Sequence, residues 1–339
     1  MPKCKALTNQ IHISVDGYYK PCCAFGEHNM DFPTNRFTPQ EYQQSNYIKN
    51  IKTAMKDSWH SGCDVCRKNE ISSNSLRQSY NLWCKAPEGT IEFLDLSLNN
   101  QCNLACRMCN SLASSKWAEL LGEVTTKNNF SNIIKNIDVS KLSKITYVGG
   151  EPFITPEIKQ VLEFVVENQI GFTFDTNCTL YPSKYENLLK QIPIVYASFS
   201  IDGVGEVNDF IRHGSDFKTI LKNLKLWKDL KFNKGIKSIT TVVQAYNLHD
   251  LKNIKALAKE YNMFWTAQLI ETPSEFQINA LPPDYIDSIK DEVNEKFLVN
   301  YKYDPILHQK LKTTTIKHNQ LLGGVNTLSG VNNALQRPF

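Results

Sequence analysis

A chain of 339 residues with 41% hydrophobic and 21% charged residues exceeds an average domain and holds enough apolar material for a sizeable core. Its 38 basic against 34 acidic residues leave a net charge of +4, too small an excess to mark a nucleic-acid or membrane surface as the partner. The N-terminus has no apolar signal-peptide core, and no run of about 18 apolar residues occurs, so the expectation is a cytoplasmic protein that spans no membrane.

Residues 1–85 carry Cys4, Cys22, Cys23, Cys63, Cys66 and Cys84, turn material in SVDGYYKPCC and a helical patch near 40–57. Ten cysteines in a reducing compartment argue for metal or redox chemistry over a disulfide framework. From about residue 90 short β-branched or aromatic runs alternate with stretches of helical period. Strands are expected at 91–97, 144–148, 172–176, 194–201, 236–243 and 263–270. Helices are expected near 112–121, 156–169, 183–190, 216–230 and 249–260. Such alternation makes an α/β fold with a parallel sheet, and the polar residues at the C-terminal strand ends suggest a partial (β/α)6 TIM-type barrel over 86–280. Residues 281–339 open with Pro282-Pro283 and continue with a plausible amphipathic helix, DYIDSIKDEVNEKF. They read as a C-terminal helical extension ending in a Gly/Asn-rich tail.

Directly after the first expected strand, NNQCNLACRMCNS places Cys102, Cys106 and Cys109 at intervals of four and three. Random placement of the cysteines gives such a triplet about once in a hundred such chains. A [4Fe–4S] cube has four iron corners. Three thiolates leave one iron open, which is a liability in electron transfer and a coordination site in a catalyst.

With that spacing the chain resembles the radical S-adenosylmethionine enzymes. The resemblance implies that the open iron is chelated by S-adenosylmethionine, whose cleavage yields a 5′-deoxyadenosyl radical that abstracts hydrogen from an unactivated C–H bond. Further stretches match the family strand by strand. Gly149-Gly150-Glu151-Pro152 resembles the motif that receives the methionine amino group, and glycine permits such close backbone approach. DTNCTL, with Thr176 and Asn177, resembles the third-strand motif, and SFSIDG, with Ser198, Ser200 and Asp202, the segment near the ribose. In DFIRHGSDF, Arg212 would pair with the methionine carboxylate, a task that suits a planar guanidinium. TVVQAYNLHDL, with Val243 and Gln244, resembles the segment beside the adenine. A reducing partner such as flavodoxin or ferredoxin is also implied.

The spacing Cys4-x12-Gly17-x4-Cys22, followed by Cys63-x2-Cys66, resembles the twitch and SPASM modules that carry auxiliary clusters, although those usually follow the barrel. The resemblance implies a second [4Fe–4S] cluster on Cys4, Cys22, Cys63 and Cys66, with Cys23 an alternative to Cys22. A zinc site on the same thiols is the competing reading.

Cys178 stands where the third-strand motif usually has glycine. Two readings remain open: a hydrogen donor to a substrate radical, or a small buried side chain. Trp59, Trp83 and Trp117 could line a groove, but aromatics more often fill a core. For substrate, a peptide undergoing oxidative modification or epimerisation is preferred. A sugar or aminocyclitol dehydrogenase or epimerase is the alternative, and a non-enzymatic iron–sulfur or zinc scaffold is the reading outside the enzymes.

Overall fold

Buried and half-buried residues alternate along the strand segments 144–147, 195–200 and 239–243, whereas 10–13 and 93–96 are buried throughout. The computed structural model describes residues 2–27, 29–72, 75–124 and 127–323. Its strands are β1 (Gln10–Ile13), β2 (Tyr19–Lys20), β3 (Phe93–Leu96), β4 (Ala105–Cys106), β5 (Lys144–Tyr147), β6 (Gly171–Thr176), β7 (Val195–Ser200), β8 (Arg212–His213), β9 (Gly235–Val243) and β10 (Phe264–Leu269). Eight form one sheet in the order β10-β9-β7-β6-β5-β3-β1-β2. All neighbours in it are parallel except β1 and β2.

On one face Leu94, Leu96, Ile145, Phe172, Phe174, Val195, Ala197, Phe199, Ile239 and Val243 are buried. They share a core with the apolar stripes of the helices at Ile158–Glu167, Phe217–Asp229 and Leu251–Glu260. Trp227, fully buried, meets the rings of Phe174 and Phe199 at 5.7 and 5.3 Å.

The other face is polar. In register, Asp95, Thr146, Thr173 and Tyr196 lie side by side, and Asp175, Ser198 and Ser238 form the adjacent row. Ser198 and Thr240 hydroxyls hydrogen-bond at 2.7 Å, and Thr240 and Thr266 at 3.0 Å. A parallel sheet packed on both faces reads as continuous apolar runs. Here the polar face instead borders a cavity of about 590 Å³, lined by Thr240, Thr266 and Gln268 from the sheet, Lys68 from the N-terminal region and Phe297 from the C-terminal one.

The sheet runs on into the N-terminal region, because β1 pairs with β3. Leu7, Ile11, Ile13, Tyr42, Ile48 and Ile51 belong to the same core as the central strands. The helical patch is two helices, Pro39–Gln44 and Asn46–Asp57, separated at Ser45, whose side chain caps the second by accepting from Ile48 N. The helix expected over 284–297 ends at Ile289. Beyond it Asn294 caps a short 3-10 turn, Glu295–Phe297. A 17-residue helix, Pro305–Leu321, completes the C-terminal region. The Gly/Asn-rich tail from 324 onward lies outside the described residues. Among the described residues no helix is long and apolar enough to cross a membrane.

Candidate functional site

The cysteine triplet occupies the loop after β3 and is pinned on several sides. β4 and β8 pair so that Cys106 lies opposite Arg212. The Arg107 guanidinium stacks at 3.8 Å over the Phe210 ring, and its Nε donates to Phe210 O. Trp117 Nε1 donates to Cys106 O at 2.8 Å, and Cys102 N donates to Ser115 Oγ at 3.1 Å. Burial pushes the Cys102 and Cys109 thiols up to about 12, with the neighbouring Cys106 adding to both; Cys106 is also raised by burial, against the pull of Arg212. Three clustered thiols that resist ionisation alone are a donor set that a cationic cluster would compensate.

The motifs after the other parallel strands converge on this loop. Gly149 and Gly150 have φ of +84° and +55°, and a Cβ on Gly150 would stand 2.4 Å from Gln101 O. Glu151 N donates to Gln101 O at 2.7 Å, so this turn props the residue next to Cys102. The Glu151 carboxylate accepts from Thr176 Oγ1 at 2.7 Å and Asn177 N at 2.8 Å, and burial raises it to about 7. Asn177 donates to Asn103 Oδ1, inside the triplet. Arg212 Nη2 forms an ion pair with the Asp202 carboxylate at 2.8 Å, with both nearly sealed from solvent, and its Nη1 is 3.8 Å from Cys106 Sγ. Gln244 is fully buried, and neither end of its amide has a partner among the described residues. Ser198 and Ser200 lie on the polar face, whereas the Val243 side chain belongs to the core. Pro152 opens a 3-10 turn.

Cys178 has φ of +60°, and its thiol is completely buried in the hydrophobic core. That left-handed backbone conformation is one that favours glycine.

The early cysteines also come together. β1 and β2 form a hairpin whose turn contains Gly17, at φ +82° with its N–H donated to Ser14 O, so the chain doubles back. One pocket is lined by Cys4, Cys22, Cys63 and Cys66, with Phe25, Met55, Trp59 and Tyr80 as walls and Arg77 as the nearby cation. Burial lifts Cys4 to about 11 and Cys63 to about 12, and raises Cys22 with help from Cys4 and Cys66. Cys23 does not line this pocket; burial, and after it the charge of Asp95 on the polar face, raise its thiol. The triplet follows the C-terminal end of β3, whereas Cys4 precedes β1, and Cys22 follows β2 as it runs back. The two thiol sets therefore belong to opposite ends of the strands.

Sequence reasoning missed Arg107, Asn103 and Asn247. Asn247 donates to Asp202 O and Val242 O and accepts from Gln244 N. Only tertiary structure joins these residues to the motifs.

Residues 96–258 match the family model of the Radical SAM superfamily, and the chain carries a domain of that superfamily. Mycofactocin maturase MftC of Mycobacterium ulcerans is 27% identical over 169 residues, covering 50% of this chain and 44% of that protein. The Fe-coproporphyrin III synthase of Methanosarcina barkeri is 25% identical over 166 residues, covering 48% and 40%. The chain spans less than half the length of these two curated relatives. Among solved structures, Streptococcus suis SuiB bound to precursor peptide SuiA aligns with a TM-score of 0.44 at 12% identity, covering 91% of this chain and 59% of that one.

Proposed function

We propose that this protein is a radical S-adenosylmethionine enzyme that abstracts hydrogen from a C–H bond of a peptide, in an oxidative modification or an epimerisation. The observation that carries the reading is the placement of two thiol sets at opposite ends of a sheet whose polar face borders a cavity. That face is read as the inside of an open six-unit barrel, where ligands meet the C-terminal strand ends.

Bound to Cys102, Cys106 and Cys109, a [4Fe–4S] cluster with S-adenosylmethionine on its open corner supplies a 5′-deoxyadenosyl radical. The protein's part is positional. Gly149 to Pro152 offer backbone where side chains would intrude, with Thr176 and Asn177 fixing Glu151 from behind. Arg212, oriented by Asp202, provides a fixed positive group for a carboxylate, and the unpaired Gln244 amide offers a donor and an acceptor to a base. Ser198 and Ser200 offer hydroxyls on the polar face.

For the second set, we read Cys4, Cys22, Cys63 and Cys66, which line one pocket, as the ligands of an auxiliary [4Fe–4S] cluster. The maturases among the relatives and the exposed edge strand β10 support a peptide over a small molecule.

Anaerobic incubation of the reconstituted protein with S-adenosylmethionine and dithionite is expected to release 5′-deoxyadenosine. A Cys102/Cys106/Cys109→Ala variant is expected to release none, and synthetic peptides should stimulate release where monosaccharides do not. Release that survives the triple substitution contradicts the reading.

A further inference from the structure

The eight-stranded sheet ends on two unlike edges. At one end β2 is two residues long and its flank is taken, because Tyr19 N donates to Phe32 O and Tyr18 bridges Pro33. At the other end β10 pairs with β9 residue by residue along its whole length, and its outer edge has no backbone partner among the described residues. Chains that must avoid edge-to-edge pairing place charges, proline or a bulge on such a strand. The β10 sequence FWTAQL has none of them, so this edge keeps its capacity to pair.

The cavity of about 590 Å³ follows that edge. Side chains alternate between the faces of a strand, so a cavity confined to one face is lined by every second residue. This one is lined by six consecutive residues, Thr266 to Glu271, and therefore runs beside the backbone as well as over the polar face. Its inner side is continuous with the candidate site through the hydroxyls of Thr266, Thr240 and Ser198, linked at 3.0 and 2.7 Å. Its rim is basic. Lys68 is engaged by Glu271 at 3.3 Å, whereas Lys296, with its ammonium 4.7 Å from the centre of the Phe297 ring, forms no ion pair among the described residues. The rim thus has one cation left over.

We propose that this groove is the docking surface for the substrate peptide, which lies along β10 as a ninth strand, held by main-chain hydrogen bonds and carrying an acidic side chain to Lys296. The proposal rests on the peptide reading above and adds how the peptide is held. In a parallel ladder successive residues turn their N–H and C=O to opposite sides, so every second residue of β10 offers an outward donor and acceptor. Such pairing reads the main chain and tolerates many sequences, with selection left to the side chains that meet neighbouring pockets. Every second side chain of the added strand falls over the polar face, the side that carries Ser198 and Thr240. A small molecule has no row of amides to match the edge. Edge-to-edge pairing with a second copy of this chain would bring two basic rims together, which disfavours it.

Hydrogen exchange on the reconstituted full chain, read on fragments covering 262–271, tests this with a defined probe, the acetylated and amidated hexapeptide TVEVTE. Saturating probe is expected to slow exchange in that segment several-fold and to leave fragments covering β2 unchanged. Methylating alternate backbone nitrogens of the probe should weaken binding about tenfold, the loss of one or two main-chain hydrogen bonds. Lys296→Glu, a substitution outside the cysteine loop and its motifs, should reverse a several-fold preference for this probe over TVKVTK. No slowing at 262–271, or equal slowing by the methylated probe, overturns the docking mode. Protection that grows with protein concentration in the absence of probe assigns the edge to a second copy and overturns the occupant. Protection by the probe without release of 5′-deoxyadenosine, once S-adenosylmethionine and dithionite are added, counts against the radical reading and leaves the docking surface standing. Release without protection does the reverse.

Discussion

Gly149 and Gly150 allow the turn beside the cysteine loop to be tested with one methyl group at a time. Both have positive φ, so alanine at either costs about 1–2 kcal/mol of backbone strain. They differ in what the new Cβ meets. At Gly149 the nearest atoms are Ser97 Oγ at 3.5 Å and Asn99 O at 3.7 Å, which is ordinary contact. At Gly150 the Cβ would lie 2.4 Å from Gln101 O and 3.2 Å from the Asn100 carbonyl carbon, both backbone. That clash is relieved only by moving Gln101, hence Cys102, and adds about 1–3 kcal/mol. Gly149→Ala is therefore expected to cost about 1–2 kcal/mol and Gly150→Ala about 2–5 kcal/mol. Urea unfolding of the two variants gives the energies, and iron content after reconstitution reports the loop. Gly150→Ala should lose iron that Gly149→Ala retains; equal midpoints with equal iron would refute the claim that this turn props the triplet.

The buried Glu151 carboxyl, raised to about 7 from 4.5, makes stability pH-dependent. Its contribution is fully present below about pH 4.5 and lost as pH rises through about 7, a change of about 3 kcal/mol. Glu151→Gln should therefore flatten the iron-free protein's stability profile between pH 5 and 8, and parallel profiles would count against it. Asp202→Asn strands the buried Arg212 charge and is expected to cost about 3–5 kcal/mol, with Arg212→Met added to it recovering part of the loss. Denaturant unfolding of the single and double variants decides that. Cys178→Gly relieves about 1–2 kcal/mol of left-handed strain and forfeits about 1 kcal/mol of thiol burial, so its midpoint should barely move. Loss of substrate turnover in this stable variant would restore Cys178 as the hydrogen donor.

Much of this site was legible because its motifs are local. The cysteine triplet, Gly149-Gly150-Glu151-Pro152 and the stretch around Asp202 each fall at the C-terminal end of a strand that alternation reveals. What stayed hidden depends on distant pairing. β1 is four buried residues, QIHI, too short to announce a strand. The β4–β8 ladder that sets Cys106 opposite Arg212 is two residues long on each side. The helix at Pro305–Leu321 contains Thr313, Thr314 and Thr315 in a row, a β-branched run that masks helical character. Its Asn319 nevertheless holds Arg107 beside the triplet. That Cys22 lines the pocket and Cys23 does not was open in sequence, because it follows from the β1–β2 hairpin.

The account turns on two separate iron–sulfur sites in one chain, and iron and acid-labile sulfide per chain after anaerobic reconstitution test that most directly. About eight irons are expected in the wild type, about four in the Cys102/Cys106/Cys109→Ala variant and about four in a Cys63/Cys66→Ala variant. One zinc per chain, with no iron in any of the three proteins, would contradict it.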